Sequence, residues 1–147
     1  MPLLYFWQNQ KMRTLKDINF KNQRAIVRVD FNVPLNEDLQ VTDTTRIKAA
    51  KPTIDYILSK GGSCVLLSHL GRPNGFEQSL SFQNIIDKIS EILEHKVLFC
   101  KTCIGSEAES KAASLLPGEL LLMENLRFNQ EETKGDLLFS EGLSKLG

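Results

Sequence analysis

The sequence has little of several things that usually announce a function. Only three cysteines occur in 147 residues, at positions 64, 100 and 103. An odd and sparse set does not build the disulfide framework of a small secreted domain. Cys64, Cys100 and Cys103 are therefore expected to be reduced, structural thiols of a cytoplasmic protein. Cys100 and Cys103 have the spacing of a redox or zinc pair, but no second pair follows, and His69 and His95 are the only histidines. A zinc site needs about four ligands, so no metal site is expected. No apolar run approaches the ~18 residues of a membrane helix. The apolar start Met1–Trp7 is too short for a signal peptide and has no basic residues before it. Lys and Arg number 18 against 18 Asp and Glu, so the cationic excess of a nucleic-acid or anionic-membrane binder is missing. Also absent are a Gly-x-x-x-x-Gly-Lys-Ser/Thr loop, a Gly-x-Gly-x-x-Gly fingerprint and a serine nucleophile flanked by glycines.

What is present is the composition of an ordinary globular domain, 41% apolar and 24% charged. A chain of this length suggests one domain that buries roughly two-thirds of its unfolded surface. Charge is uneven along it: residues 1–30 carry a net of +4 and residues 105–147 a net of −4. Such ends either attract one another or form two solvated faces. Met12 begins a more ordinary sequence, so residues 1–11 are expected to be a disordered extension and residues 12–147 the domain.

Ala25–Phe31 is rich in β-branched residues and bounded by polar residues and Pro34, which predicts a strand. Asn36–Asp38 is a turn. Asp43, Thr44 or Thr45 can cap a helix with apolar positions at Ile47, Ala50, Ile54, Ile57 and Leu58. Pro52 is expected to kink or restart it, and Gly61-Gly62 to end it. Cys64–Leu67, Val97–Phe99 and Glu119–Met123 are further short strands. Between them lie helices at Phe82–Leu93, where the apolar spacing is clean, and at Gly105–Leu116. Ser68–Leu80 is too long for a simple connection, and such loops are often functional. Residues 124–135 are expected to be polar loop, and Leu137, Leu138, Leu143 and Leu146 to mark a last helix. Strands joined by helices must run parallel, with helices on both sheet faces. The fold class is α/β.

Ligands of such sheets bind beyond the carboxyl ends of the strands. There the sequence places Asp30-Phe-Asn32, His69-Leu-Gly-Arg72 and Asn125-Leu-Arg127, with Arg46 at the start of the first helix. Three arginines at one edge suit bidentate capture of a phosphate or carboxylate, although each alone could be a surface residue paired with Glu. His69 could donate to a phosphate oxygen or be structural. Asp30 and Asn32 alternate along an extended segment and face one way. Together they could grip a hydroxyl group, or only stabilise the turn before Pro34. Spacing alone predicts an α/β domain with a small anion pocket.

Four segments together resemble the amino-terminal domain of the phosphoglycerate kinase family: Arg28-Val-Asp-Phe-Asn-Val-Pro34, Thr42-Asp-Thr-Thr-Arg-Ile47, Ser68-His-Leu-Gly-Arg-Pro73 and Glu124-Asn-Leu-Arg-Phe128. Pro52-Thr-Ile54, Cys103-Ile-Gly105 and Glu131-Glu132 add to the resemblance, which runs from about Met12 to Gly147. It implies a three-layer, Rossmann-like domain, incomplete at its carboxyl-terminal end, in a monomeric cytoplasmic enzyme of glycolysis. That family transfers a phosphoryl group reversibly between magnesium-bound ATP and 3-phosphoglycerate, making 1,3-bisphosphoglycerate. The resemblance implies that Asp30 and Asn32 hold the substrate's hydroxyl region. It implies that His69, Arg72 and Arg127 grip the phosphate that is not transferred. Arg46 would lie near the reacting carboxylate and offset charge in transfer, the one catalytic role expected. The chain ends before the family's Asp-Ala-Phe-Gly-Thr-Ala-His-Arg segment and before the nucleotide-binding domain. ATP, ADP and magnesium are accordingly expected to have no site in these 147 residues, which alone would be inactive. Asn74 stands where the family often has Lys. The alternative is a non-catalytic anion-binding α/β module.

Overall fold

The computed structural model describes residues 12–147; the extension expected over residues 1–11 lies outside them. Four strands, β1 (Arg24–Arg28), β2 (Ser63–Leu67), β3 (Val97–Cys100) and β4 (Leu120–Met123), form one parallel sheet in the order β1-β2-β4-β3. Ala25 pairs with Cys64, Val65 with Leu121, and Leu98 with Leu121 in the registers of the three ladders. The helices are α1 (Thr45–Ser59), α2 (Ile86–Leu93), α3 (Ser106–Ala113), α4 (Gln130–Lys134) and α5 (Leu137–Ser144).

Both central strands are buried along their whole length, as expected of short runs with no polar alternation. Successive side chains leave a strand on opposite faces, and they divide the core in two. Cys64, Leu66, Leu120 and Leu122 pack with Ile47, Ile54, Ile57 and Ile89 of α1 and α2. Val65, Leu67, Leu121 and Met123 pack with Ala108, Ala112, Phe139 and Leu146. Helices therefore cover both faces, and the α/β reading of the sequence is correct.

Two local expectations are corrected, and a third, the last helix, is present as α5. Pro52 does not restart α1, which runs unbroken from Thr45 to Ser59. Pro52 and Lys48, whose carbonyl the missing N–H would have met, both face solvent, where water can satisfy the freed acceptor. Residues 124–135 are not simply a polar loop: Leu126–Phe128 forms a 3-10 turn and Gln130–Lys134 forms α4. In the last helix, Phe139 and the following Leu146 are the buried residues, whereas Leu137 and Leu138 are 78% and 76% exposed.

The start and end of α1 show why the chain turns where it does. The Asp43 carboxylate accepts the Thr45 N–H at 2.8 Å, and its pKa is lowered by the Thr45 hydroxyl first and by this N–H second. At the far end Gly61 has φ +80°, and a Cβ on Gly62 would lie 2.9 Å from Ile57 Cγ2. Two glycines thus let the chain drop directly from helix into β2.

Candidate anion-binding site

The carboxyl ends of β1, β2 and β4 converge through a small set of buried polar contacts. Beyond β1 the chain stays extended: Val29 N–H donates to the Leu67 carbonyl at 2.9 Å, and Phe31 N–H donates to Ser68 Oγ at 2.9 Å. Phe31 and Val33 point inward, so Asp30 is left exposed and Asn32 half-buried on the other side. The alternation anticipated for this segment is therefore present.

Asn125, fully buried after β4, ties the strand ends together. Its Oδ1 accepts from Leu70 N–H (3.1 Å) and Arg127 N–H (3.0 Å), and its Nδ2 donates to the Leu70 (2.7 Å) and Leu80 (3.0 Å) carbonyls. Beside it the buried Glu124 accepts from Ser81 Oγ at 2.6 Å and from the N–H groups of Phe82 and Asn125. These contacts fix the loop after β2 and direct Arg127 outward from β4.

Of the six residues singled out in the sequence, Asp30, Asn32 and Arg46 meet directly. Arg46 Nη1 donates to Asp30 Oδ1 at 3.1 Å and to the Asn32 carbonyl at 3.0 Å. Arg46 and Asp30 side chains are 52% and 61% exposed, so this pair is screened and easily rearranged. Asn32 Oδ1 already accepts the N–H of Gly71 at 2.8 Å, at a residue with φ +63°. Its Nδ2 has no partner among the described residues. Arg127 Nε donates to Glu132 Oε2 at 3.1 Å. Arg72 is exposed and makes no hydrogen bond or ion pair among the described residues.

His69 lies in the same electrostatic neighbourhood. Burial lowers its pKa, and the charges of Arg127 and Arg28 push it further down against the pull of Glu132 and Asp30. A neutral imidazole among cations is poised to gain a proton when an anion arrives.

Two further residues were overlooked. Arg28 Nη2 donates to Glu132 Oε1 at 2.8 Å, so one carboxylate bridges Arg28 and Arg127. Arg28 continues the alternation of Asp30 and Asn32, and that period of two could have found it. For Glu132 no local pattern gives a role: the Glu131-Glu132 pair only adds to the resemblance, and its partner Arg28 lies 104 positions away.

Other chemistries find no support in this geometry. Burial pushes the thiols of Cys64 and Cys103 up to about 12, so neither offers a thiolate at neutral pH. Among the described residues no three His, Cys, Asp or Glu side chains are grouped to hold a metal ion. No helix among them is long and apolar enough to cross a membrane. A cavity of about 550 Å³ between Val41, Ile85 and Lys88 shares no residue with the strand-end group.

Fold and site together define a parallel α/β domain that presents arginines, a histidine and an Asp–Asn pair at its strand ends. The family model described as phosphoglycerate kinase matches residues 15–147, and the chain belongs to that family. Over 135 residues it is 44% identical to the phosphoglycerate kinase of Campylobacter curvus, covering 91% of this chain and 34% of that protein. It is 48% identical to that of Moorella thermoacetica over 134 residues, covering 90% of this chain and 34% of the relative. The crystal structure of phosphoglycerate kinase from Pyrococcus horikoshii superposes with a TM-score of 0.81 at 32% identity, over 92% of this chain and 35% of that one. The chain thus spans about a third of the length of the relatives it matches.

Proposed function

We propose that these residues form the phosphoglycerate-binding part of a phosphoglycerate kinase. The observation that carries this reading is the surplus of guanidinium N–H groups at the strand ends. Arginine offers five N–H donors, yet Arg127 and Arg28 each commit one to Glu132 and Arg72 commits none among the described residues. In this reading His69, Arg72 and Arg127 hold the phosphate that stays in place. Asp30 and the free Nδ2 of Asn32 hold the hydroxyl region. Arg46, whose exposed pairing with Asp30 is easily exchanged, turns to the reacting carboxylate. Phosphoryl transfer depends on positioning and charge stabilisation rather than on a protein nucleophile, which suits a site with neither a reactive thiol nor an activated serine.

ATP and magnesium are assigned, on the family resemblance, to a second domain outside the 147 residues. The described residues offer neither a phosphate-cradling glycine loop nor a metal-ligand cluster, so no step is derived through either. The protein so completed would act in glycolysis, in the cytoplasm, as a monomer, on small molecules and neither nucleic acid nor membrane.

Calorimetry with 3-phosphoglycerate tests the reading. The 147-residue chain should bind it and show no turnover in a coupled kinase assay. Each charge-assisted hydrogen bond contributes roughly 1.5–3 kcal/mol, so Arg127→Ala or Arg72→Ala should weaken binding about tenfold to a hundredfold. A folded chain that does not discriminate 3-phosphoglycerate from inorganic sulfate would instead be the non-catalytic anion-binding module.

A further inference from the structure

Glu132 differs from every other carboxylate among the described residues in contacting two guanidinium groups. Its Oε1 accepts from Arg28 Nη2 at 2.8 Å and its Oε2 from Arg127 Nε at 3.1 Å, and its side chain is only 9% exposed. Desolvation works to raise its pKa, but the hydrogen bonds and charges of Arg28 and Arg127 outweigh it and leave the group lowered. Two guanidinium groups brought to one place repel each other, and a desolvated carboxylate between them both offsets that repulsion and fixes their planes. The contacts are directional. They occupy one N–H position on each arginine and leave both Nη groups of Arg127, with Nη1 and Nε of Arg28, without partners among the described residues.

The element that carries Glu132 is short. α4 has only five residues and closes at Gly135 with φ 64°, too short for helix propensity to hold it. Besides its packing on the 3-10 turn before it and on α5, it is tied by Glu132 to Arg28 of β1 and to Arg127 of that turn, so order in α4 and order in the two arginines are linked. The Arg46–Asp30 pair has no such shelter, and its carboxylate meets one guanidinium only.

We propose that Glu132 is a positioning residue: it holds Arg28 and Arg127 side by side so that their uncommitted N–H groups face one phosphate. This rests on the strand ends being the phosphoglycerate site. Glu132 touches no substrate in this role; it acts through the two arginines.

Glu132→Gln keeps the shape and removes the charge. Glu131→Gln, at the exposed neighbouring residue, removes the same charge without the contacts. Calorimetry on the 147-residue chain should show 3-phosphoglycerate binding about tenfold weaker in Glu132→Gln, the loss of one ordered charge-assisted contact. Binding in Glu131→Gln should change less than about twofold, as for an exposed charge. NMR of the Arg127 Nε–H gives a readout that needs no ligand: a persistent signal in the unaltered chain, lost to solvent exchange in Glu132→Gln. Should Glu132→Gln fail to fold, Glu132→Asp keeps the charge but reaches one arginine only, and should still weaken binding with stability retained. Unchanged or tighter binding in Glu132→Gln would overturn the proposal, since Glu132 would then be a plain tie or a competing anion. So would an Arg127 Nε–H that exchanges equally fast with and without Glu132. If the unaltered chain has no affinity for 3-phosphoglycerate while its Arg127 signal still depends on Glu132, the substrate reading fails and the positioning role stands.

Discussion

At the carboxyl end of the sheet His69 lies among Arg28, Arg127, Glu132 and Asp30; at the amino end His95 Nε2 shares a 2.8 Å hydrogen bond with Asp55, which together with Glu94 also holds Lys51. The residue types are nearly the same and the balance is opposite. Lys51 meets two carboxylates, at 2.8 and 3.1 Å, and His95 meets one. At the other end one carboxylate serves two arginines, and Arg72 has no partner among the described residues. An end whose cations are matched can only tie elements together. An end with surplus donors held in place by buried scaffolding can bind something. Counting histidines or arginines would not separate the two; counting uncommitted donors does.

The scaffolding gives the largest expected effect. Asn125 satisfies four backbone groups from a fully buried position. Asn125→Ala would orphan them inside the protein, at about 1–3 kcal/mol for each group that water cannot reach. Thermal or denaturant unfolding should register a loss of at least about 3 kcal/mol. A loss below about 1 kcal/mol would mean that the strand ends are not built around this amide.

How much of this was legible in the sequence follows the range of the interactions. Strands, sheet class and the choice of site candidates depend on local patterning: burial on both faces, a period of two after β1, polar residues where strands stop. Pro52 does not restart α1: the proline rule does not know which way the proline faces, and Pro52 and Lys48 are both exposed, where water can satisfy the freed carbonyl. Residues 124–135 read as polar loop because Glu124 and Asn125 are polar. Their burial is decided by Ser81, Phe82, Leu70 and Leu80, 42 to 55 positions away. Glu132 was visible only through the Glu131-Glu132 resemblance, and its contacts were illegible for the same reason. Arg72 was legible as a candidate, and its side chain makes no hydrogen bond or ion pair among the described residues.

A smaller effect separates the two ends by pH. His69 has its pKa held below 6.5, first by burial and then by Arg127 and Arg28. A base depressed in the folded state binds fewer protons there than in the unfolded chain, so stability rises with pH in that interval. His69's contribution is complete above 6.5 and is lost as pH falls through the folded value. A bound phosphate dianion would reverse the bias, favouring imidazolium and raising the midpoint. NMR titration of the His69 ring should therefore give a midpoint below 6.5 in the free chain and a higher one with 3-phosphoglycerate. A midpoint that ignores the ligand would make His69 a structural residue and would remove it from the binding end.

The smallest effect is expected at the amino end. Lys51, first through its hydrogen bond, lowers the pKa of Asp55, and His95 adds to the shift. A depressed carboxylate contributes stability above its unfolded pKa and loses it as pH falls through the folded value. Asp55 and Glu94 are 41% and 77% exposed, so water screens most of what these pairs could contribute. Lys51→Met keeps the aliphatic stem and should cost less than about 1 kcal/mol in denaturant unfolding. Its affinity for 3-phosphoglycerate should equal that of the unaltered chain, because among the described residues the Lys51 side chain makes no hydrogen bond or ion pair with the strand-end residues. If Lys51→Met weakened binding as Arg127→Ala does, the anion would not be held at the carboxyl end alone. Surplus donors would then cease to be the property that distinguishes the two.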